Sequence, residues 1–553
     1  MAKNSSFDAR QLYMIPLGGS GEIGMNLNVY AYGGRLLVVD TGVTFEKLPG
    51  IEVVMPDISW LASQQKHLAG IVLTHAHEDH VGAAGHLWSQ LGAPFYATPF
   101  TSGLLAHKLR EAKVKAPVHQ VPLEGVVDIG PFKVSFLNLT HSIPEPSALA
   151  IQVESGVVVH TGDWKIDPEP VVGAKTSDHA LKALGKSGVL GLVCDSTCVF
   201  EEGWSGSEQG VQDFLVTYMK TKRKGRVVMA CFASNVARLM TCYKAAKASG
   251  RQVVLAGRSL ERMNEIARKT GYLDKVPPFL KDSEAKNLAP EKTLIVATGS
   301  QGEERAALMR MAFGHHPKLK LESGDTVVFS SRIIPGNEKE IFKLQNQLVL
   351  NGIEVVTQKQ HPEIHVSGHP SRDELKEMYG WLKPKIAIPV HGEDRHLIEH
   401  ARLAESLGCK ALAPHNGDVI KLDAKKGPIK VGRVPFGRVG LDGVRLIPLD
   451  GKIVEDRKRL GAEGVISVAV LCGEEDQNEV MLSVHGLCEA EEESQLIEEW
   501  REVAERAARK ACAGSQGSEN FEARLSKNIS KALRDHVSRE LGKRPVVLVH
   551  VLT

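Results

Sequence analysis

The segment Thr74-His75-Ala76-His77-Glu78-Asp79-His80 constrains the fold of this 553-residue chain more than any other. Three imidazoles and two carboxylates crowd into residues 75–80. The apolar run Gly70–Thr74 before it predicts a buried strand, and the small residues Val81–Gly85 after it lead into a helix through His86-Leu87-Trp88. The polar residues therefore fall at the carboxyl end of a strand, where open α/β sheets place their ligands. Burying so many polar groups there without a partner would cost too much, and a metal ion is the partner their chemistry suits. His75 and His77, two apart, can point to one side of an extended segment, leaving Asp79 and His80 to face a neighbouring position. That pattern suits two adjacent metals better than one.

One loop supplies too few ligands for two ions, so other strands should also end in His or Asp. Val157–Thr161 leads to Asp163, Phe136–Thr140 to His141, Ile386–Val390 to His391, Gly191–Cys194 to Asp195 and Leu36–Val39 to Asp40. Singly, such a residue is usually a turn or cap residue. Five together, beside the histidine loop, predict one polar centre assembled from distant parts of the chain.

Gly19, Gly21 and Gly24 match the spacing of a dinucleotide-binding loop, which needs a helix to follow. Here Asn26–Tyr32 alternates and Gly33-Gly34 turns the chain into another strand, so the glycines are read as a loop passing close to the metal centre. Residues 118–163 read as further short strands (Val118–Val121, Phe132–Leu139, Ala148–Glu154, Val157–Thr161), with a helix at Ser102–Lys113. Two such blocks predict two sheets packed face to face and flanked by helices.

After about residue 200 strands and helices alternate. Helices are expected at Gly210–Lys220, Val236–Ala248, Leu260–Thr270, Glu303–Ala312 and Glu338–Leu350, and strands at Arg226–Cys231, Gln252–Ala256, Thr293–Ala297 and Thr326–Phe329. This is the pattern of a parallel sheet wrapped by helices. Asp163 before this region and His391 after it look like partners in one site, so the region is read as an insertion into the first domain. Beyond about 453, strands at Val465–Cys472, Glu479–His485 and Pro545–Leu552 and helices at 491–513 and 522–541 form a third, α+β unit. The expected division is 1–200, 201–365, 366–452 and 453–553.

Composition narrows the class. The eight cysteines show no CxxC pair and several lie in apolar runs, as expected of reduced thiols in a reducing compartment. The N-terminus lacks a signal-peptide stretch, and no run approaches the ~18 apolar residues of a membrane helix. A cytoplasmic enzyme without a membrane partner is the expectation. A formal net charge of +2 neither demands nor excludes a nucleic-acid partner. The basic run Lys220–Arg226 reads as a solvated helix end before it reads as an RNA contact.

These residues resemble a known family. His75-Ala76-His77-Glu78-Asp79-His80 matches the HxHxDH signature of the metallo-β-lactamase fold, and Asp40, His141 and Asp163 stand where that fold has its other motifs. Asp195, His369 and His391 look like the three additional motifs of the β-CASP nucleases, with 201–365 as the β-CASP insertion. Phe232–Asn235, His365-Val366-Ser367-Gly368-His369 and Pro389–Glu393 are most similar to the bacterial ribonuclease J family, and the resemblance covers essentially the whole chain. Two places depart from the pattern: Ala76 within the loop, and Cys198 where Asn is usual.

The resemblance implies an α/β fold: a metallo-β-lactamase αββα sandwich interrupted by a β-CASP α/β domain, plus a small α+β C-terminal domain. It implies two Zn2+ per subunit, with Mn2+ or Mg2+ as alternatives. His75, His77 and His141 would bind one ion, Asp79, His80 and His391 the other, with Asp163 bridging and Asp40 orienting a ligand without touching metal. Such a pair, ~3.5–4 Å apart, activates water for in-line attack on a phosphodiester. His369, held by Asp195, would protonate the leaving 3′-oxygen. Ser234, Asn235, His365, Val366, Ser367 and Gly368 together with His369 would form a pocket for a terminal 5′-phosphate, with Gly368 letting backbone approach the anion. Helix capping is the alternative role for the Ser and Asn.

The implied function is 5′-to-3′ exonuclease action on single-stranded RNA with 5′-monophosphate ends, some endonuclease activity, and a place in mRNA decay and rRNA maturation. A homodimer or homotetramer and RNA-decay or ribosome-associated partners are further implied. The alternatives are a DNA-directed β-CASP nuclease, another hydrolase of the same fold acting on thioesters or lactams, and a non-catalytic RNA-binding protein. An insertion that roofs the site argues against the second, and a complete ligand set against the third.

Overall fold

The computed structural model describes residues 7–472, 478–512 and 521–552. The chain divides into two compact units, one of residues 1–45 and 54–438, the other of 46–53 and 439–553.

In the first unit, two sheets form a sandwich. One has eight strands, in the order Gly427–Arg433, Asp418–Asp423, Tyr13–Gly18, Leu27–Tyr32, Arg35–Val39, Leu68–Val72, Phe95–Ala97, Val118–Gln120. The other has seven: Lys410–Ala411, Ile386–Val390, Gly191–Asp195, Gly156–His160, Ser147–Val153, Phe132–Asn138, Val126–Ile129. Alternation explains the packing. Phe132, Val134 and Phe136 point inward from their strand, and with Leu149, Ile151, Val158 and Ile388 they meet Met14, Tyr30, Leu37, Val39 and Val72 of the facing sheet. Each such side chain, fully buried, contributes about 1.5–3 kcal/mol. The outward residues of the seven-stranded sheet (Val159, Leu192, Cys194, Ala387) pack on Leu181, Leu375, Met378, Tyr379 and Leu403 of three covering helices.

The strands nearest the polar loops pair in parallel: Gly156–His160 with Gly191–Asp195, and that strand with Ile386–Val390. Parallel pairing brings the three carboxyl ends, with Asp163, Asp195 and His391 at or just beyond them, to one edge. Arg35–Val39 and Leu68–Val72, also parallel, deliver Asp40 and the histidine loop in the same way. Residues 19–24 form the expected loop between two antiparallel strands, so no helix follows the glycines.

Between Asp195 and Ile386 the chain builds a separate six-stranded sheet in the order Leu280–Lys281, Gln252–Ala256, Thr293–Ala297, Val227–Ala230, Thr326–Phe329, Glu354–Val356, with parallel pairings throughout. One expected helix is shorter than its sequence pattern: it begins at Ala307, not Glu303. Gly299 and Gly302 adopt φ of 110° and 75°, and the Glu303 carboxylate accepts a hydrogen bond from Gln301 N, which together hold the preceding residues in a loop.

The second unit starts at Val439 and takes in the segment 46–53. That segment is the turn of a hairpin, Thr44–Leu48 with Ile51–Pro56, which joins Arg438–Asp442 and Arg445–Pro448 in a four-stranded sheet. A three-stranded sheet (Asn478–His485, Val465–Cys472, Val546–Leu552) follows, its inner face packed on helices Ala490–Cys512 and Phe521–Glu540 around Trp500, Ile529 and Leu533. Residue 513, expected at a helix end, lies outside the described residues.

Candidate metal centre and phosphate pocket

Three nitrogens converge at the end of the histidine loop. His77 Nδ1 lies 3.1 Å from His75 Nε2 and 3.0 Å from His141 Nε2, and Asp163 Oδ2 is 3.9 Å from both His75 and His141. Burial, then the neighbouring imidazoles, holds the pKa values of His75 and His141 well below the ordinary histidine range. Burial likewise takes His77 down to about 4. All three are therefore neutral at pH 7, the form that ligates metal.

A second cluster shares Asp163. His80 Nε2 lies 3.1 Å from Asp163 Oδ1 and 3.6 Å from Asp79 Oδ2, and His391 Nε2 is 3.1 Å from Asp79 Oδ2. Asp163 thus turns one oxygen to each cluster. Burial pushes its carboxyl up, but His391 and His80 outweigh it and leave the pKa at about 2. Here the carboxylates win over burial for the imidazoles too: Asp163 leads in raising His80 and takes His391 to about 10. A position that binds protons this strongly is a position that favours positive charge. Asp163 Oδ1 is buried and accepts no hydrogen bond of good geometry, although His80 and His391 Nδ1 approach to 3.1 and 3.2 Å. A buried, ionised oxygen that faces imidazoles without a well-aligned hydrogen bond fits a divalent cation.

The surroundings hold these groups in place. Asp40 Oδ2 is 2.7 Å from His80 Nδ1, and the carboxylate also accepts hydrogen bonds from Thr74 N and Oγ1, both at 2.8 Å. Asp40 and His391 adopt φ of 65° and 54°, left-handed backbone that costs a non-glycine residue about 1–3 kcal/mol. The His391 amide is fixed by donating to Gly19 O at 2.6 Å, and Gly42 is so close to Asp79 O that a Cβ there would lie 1.8 Å from it. The glycine loop does pass beside the cluster.

His369 Nδ1 lies 2.8 Å from Asp195 Oδ2, and its ring is partly open to solvent. Burial opposes its protonation, but Asp195 outweighs burial and raises its pKa. Thr197, to which the sequence motifs assign no role, donates to Asp195 Oδ1 at 2.7 Å and sits 3.0 Å from His391 Nδ1. Asp163, Asp195, His369 and His391 could also group around an ion, an arrangement that shares two residues with the second cluster.

Beside His369 is a cavity of about 340 Å³ lined by Trp204, Ser205, Arg332, Gln358, His365, Val366, Ser367 and Ser371 together with Glu201 and Glu202. His365 is buried, its Nδ1 has no partner, and burial followed by the Arg238 charge takes its pKa down to about 3. Arg332, the pocket's cation, pairs with Glu201 at 2.6 Å and reaches Cys198 Sγ at 3.7 Å. Nothing in the local sequence marked it, because its neighbours in space are remote in the chain. The other expected pocket residues have different neighbours. Ser234 Oγ is 3.1 Å from His77 Nε2. Asn235 caps helix Val236–Ser249 by accepting from Arg238 N at 2.8 Å, and its amide donates to Glu208 at 3.2 Å. Gly368 O is 2.5 Å from His141 Nδ1, and a Cβ on Gly368 would meet His141 Cε1 at 2.9 Å. That glycine makes room for a histidine of the first cluster.

In the basic run, Lys222 pairs with Glu354 and Arg226 with Glu322 and Asp325, leaving Lys220, Arg223 and Lys224 exposed.

Four family models match the chain in succession: the metallo-β-lactamase superfamily over residues 25–184, the ribonuclease J β-CASP domain over 224–348, a Zn-dependent metallo-hydrolase RNA specificity domain over 352–414, and the ribonuclease J C-terminal domain over 452–553. The chain is 40% identical to ribonuclease J of Sinorhizobium meliloti, across 98% of this chain and 97% of the relative. It is 36% identical to ribonuclease J of Corynebacterium glutamicum (98% and 76%) and 32% identical to that of Thermus thermophilus (98% and 95%). A solved protein of unknown function from Enterococcus faecalis shares the fold, with a TM-score of 0.51 at 16% identity over 74% of this chain and all of that one. The chain belongs to the ribonuclease J family and is a hydrolytic, divalent-metal-using ribonuclease of the metallo-β-lactamase fold.

Proposed function

We propose that the chain degrades single-stranded RNA from 5′-monophosphate ends in the 5′-to-3′ direction and also cuts internally, using two zinc ions per subunit. The observation that carries this reading is the cavity beside His369. It is about 340 Å³, and its lining brings together Arg332, held by Glu201, a buried His365 whose Nδ1 has no partner, and the Ser367 hydroxyl. These are groups suited to a terminal phosphate.

His75, His77 and His141 would hold one ion, Asp79, His80 and His391 the other, with Asp163 between them. Ions held there would neutralise charge on the phosphate oxygens and make water nucleophilic at neutral pH. Asp195 fixes His369 through Nδ1, so Nε2 is left to deliver a proton to the 3′-oxygen as its bond to phosphorus breaks. The products are a nucleoside 5′-monophosphate with a 3′-hydroxyl and an RNA one nucleotide shorter. Because water's oxygen stays on phosphorus, the shortened RNA again begins with a 5′-monophosphate and can re-enter the pocket.

We assign the chain to the cytoplasm, in mRNA decay and rRNA maturation, as a homodimer or homotetramer. Among the described residues no helix is long and apolar enough to cross a membrane. The outer face of the three-stranded sheet exposes Leu471, Met481, Leu548 and Leu552, which suits an interface between copies.

The test uses RNAs bearing a 5′-monophosphate, 5′-triphosphate or 5′-hydroxyl, each labelled internally, with single-stranded DNA as a further arm. Mononucleotide release at least ten times faster from the monophosphate is expected. Equal rates from all three ends would refute the end preference, and faster cleavage of DNA would reassign the substrate.

A further inference from the structure

Below the cavity lies a buried ion pair that the reaction does not use. Arg238 is fully buried, and its Nη2 donates to Glu208 Oε2 at 2.9 Å. Its Nη1 donates to Ile364 O at 3.1 Å and to Ser330 O at 3.0 Å, and also contacts Ser330 Oγ. Ser330 Oγ in turn donates to Ile364 O at 2.5 Å. Ile364 immediately precedes His365, and Ser330 lies two residues before Arg332. One guanidinium therefore ties together the two loops that carry the imidazole and the cation of the cavity. On the other side, Glu208 Oε1 accepts from the Asn235 amide at 3.2 Å, beside Ser234, while Glu208 N donates to Asp167 Oδ2 at 2.9 Å.

A buried ion pair is weak evidence for stability, because apolar residues of similar volume often stabilise a core as well or better. What apolar side chains cannot do is hold two carbonyls and a hydroxyl from separate loops at fixed positions. Lysine cannot do it either: its single ammonium lacks the planar fork that reaches Glu208, Ser330 and Ile364 at once.

We infer that Arg238, locked by Glu208, is a positioning residue for the RNA 5′-end pocket, fixing His365 and Arg332 through the backbone of Ile364 and Ser330. The inference rests on the phosphate-pocket reading above.

The experiment compares wild type, Arg238→Lys and the double variant Glu208→Gln/Arg238→Met, all as full-length metal-loaded enzyme. KM and kcat are measured on 5′-monophosphate and 5′-hydroxyl RNA, and amide hydrogen exchange across residues 328–334 and 361–368. Both variants should melt cooperatively, exchange at least tenfold faster in those two segments alone, and raise KM for monophosphate RNA about tenfold. KM for hydroxyl RNA and kcat for both substrates should change less than threefold. Unchanged exchange overturns the positioning role. Raised exchange with KM unchanged, or with equal losses on both RNAs, overturns its link to the 5′ end. If wild type does not distinguish the two RNAs, the pocket reading fails, and exchange alone then decides whether Arg238 holds the loops. Should the double variant not fold, Arg238→Lys, which keeps the charge, supplies the same readouts.

Discussion

Asp195 Oδ2 and His369 Nδ1 are 2.8 Å apart, while the other oxygen of Asp195 accepts from Thr197 N and Oγ1 at 2.9 and 2.7 Å. The carboxylate is pinned on one side and aims the imidazole with the other. Replacing His369 with Ala should leave the metal content intact and lower kcat by roughly 10²–10⁴-fold, the range for losing a general acid. Loss of a metal ion together with activity would instead make His369 a ligand, and elemental analysis of the purified variant separates the two.

Asp40 contacts the centre directly at His80 and, through the Thr74 hydroxyl, reaches His75. Asp40→Asn keeps the shape but weakens the acceptor for His80 Nδ1, so metal affinity should fall about 10–100-fold while the fold persists. Activity should return at high added metal. A chelator-competition titration checks this, and unchanged affinity would remove Asp40 from the account.

Glu208 gives a pH signature. Burial would raise its pKa, but Arg238 and Lys165 outweigh burial and take it from 4.5 down to about 2. A depressed carboxyl stabilises the fold fully above its unfolded pKa and loses that contribution as pH falls through its folded one. Wild type should thus lose about 3 kcal/mol from this group between pH 4.5 and 2. Glu208→Gln should lack that part of the acid dependence, as read from urea unfolding at stepped pH.

Leu533 is fully buried against Trp500 and Ile529 in the second unit. Leu533→Ala should destabilise that unit by about 2–5 kcal/mol, the cost of a cavity in a close-packed core, without changing metal content. Amide hydrogen exchange of helices Ala490–Cys512 and Phe521–Glu540 in stepped denaturant measures it.

Much of the fold and of the metal centre is legible in the sequence because the ligands sit next to strong strand signals. Val159, Leu192 and Ile388 lie in buried apolar runs, so Asp163, Asp195 and His391 stand out as strand-end groups from the residue pattern alone. The β-CASP strands Gln252–Ala256, Thr293–Ala297 and Thr326–Phe329 are legible for the same reason. The hairpin at 44–56 is not: its first strand, Thr44–Leu48, is charged and partly exposed, and its second, Ile51–Pro56, neighbours Arg438–Asp442, remote in the chain. Nor can spacing reveal Arg332, Thr197 or the Arg238–Glu208 pair. Their roles depend on hydrogen bonds between loops far apart in the chain, which leave no periodicity behind. Asn235 shows the opposite difficulty. A cap residue and a phosphate ligand look alike in sequence, and the structure uses both ends of its amide in the fold.

Asp163 lies between the two ligand clusters, and RNA hydrolysis is proposed to depend on metal held in both. The most direct test measures bound divalent metal and cleavage of 5′-monophosphorylated RNA on the same samples of wild type and Asp163→Ala, before and after chelation. Two ions per wild-type chain are expected, with cleavage abolished by chelation and restored by added zinc or manganese, and neither metal nor cleavage in folded Asp163→Ala. Undiminished cleavage by chelated wild type, or by metal-free Asp163→Ala, would contradict that dependence.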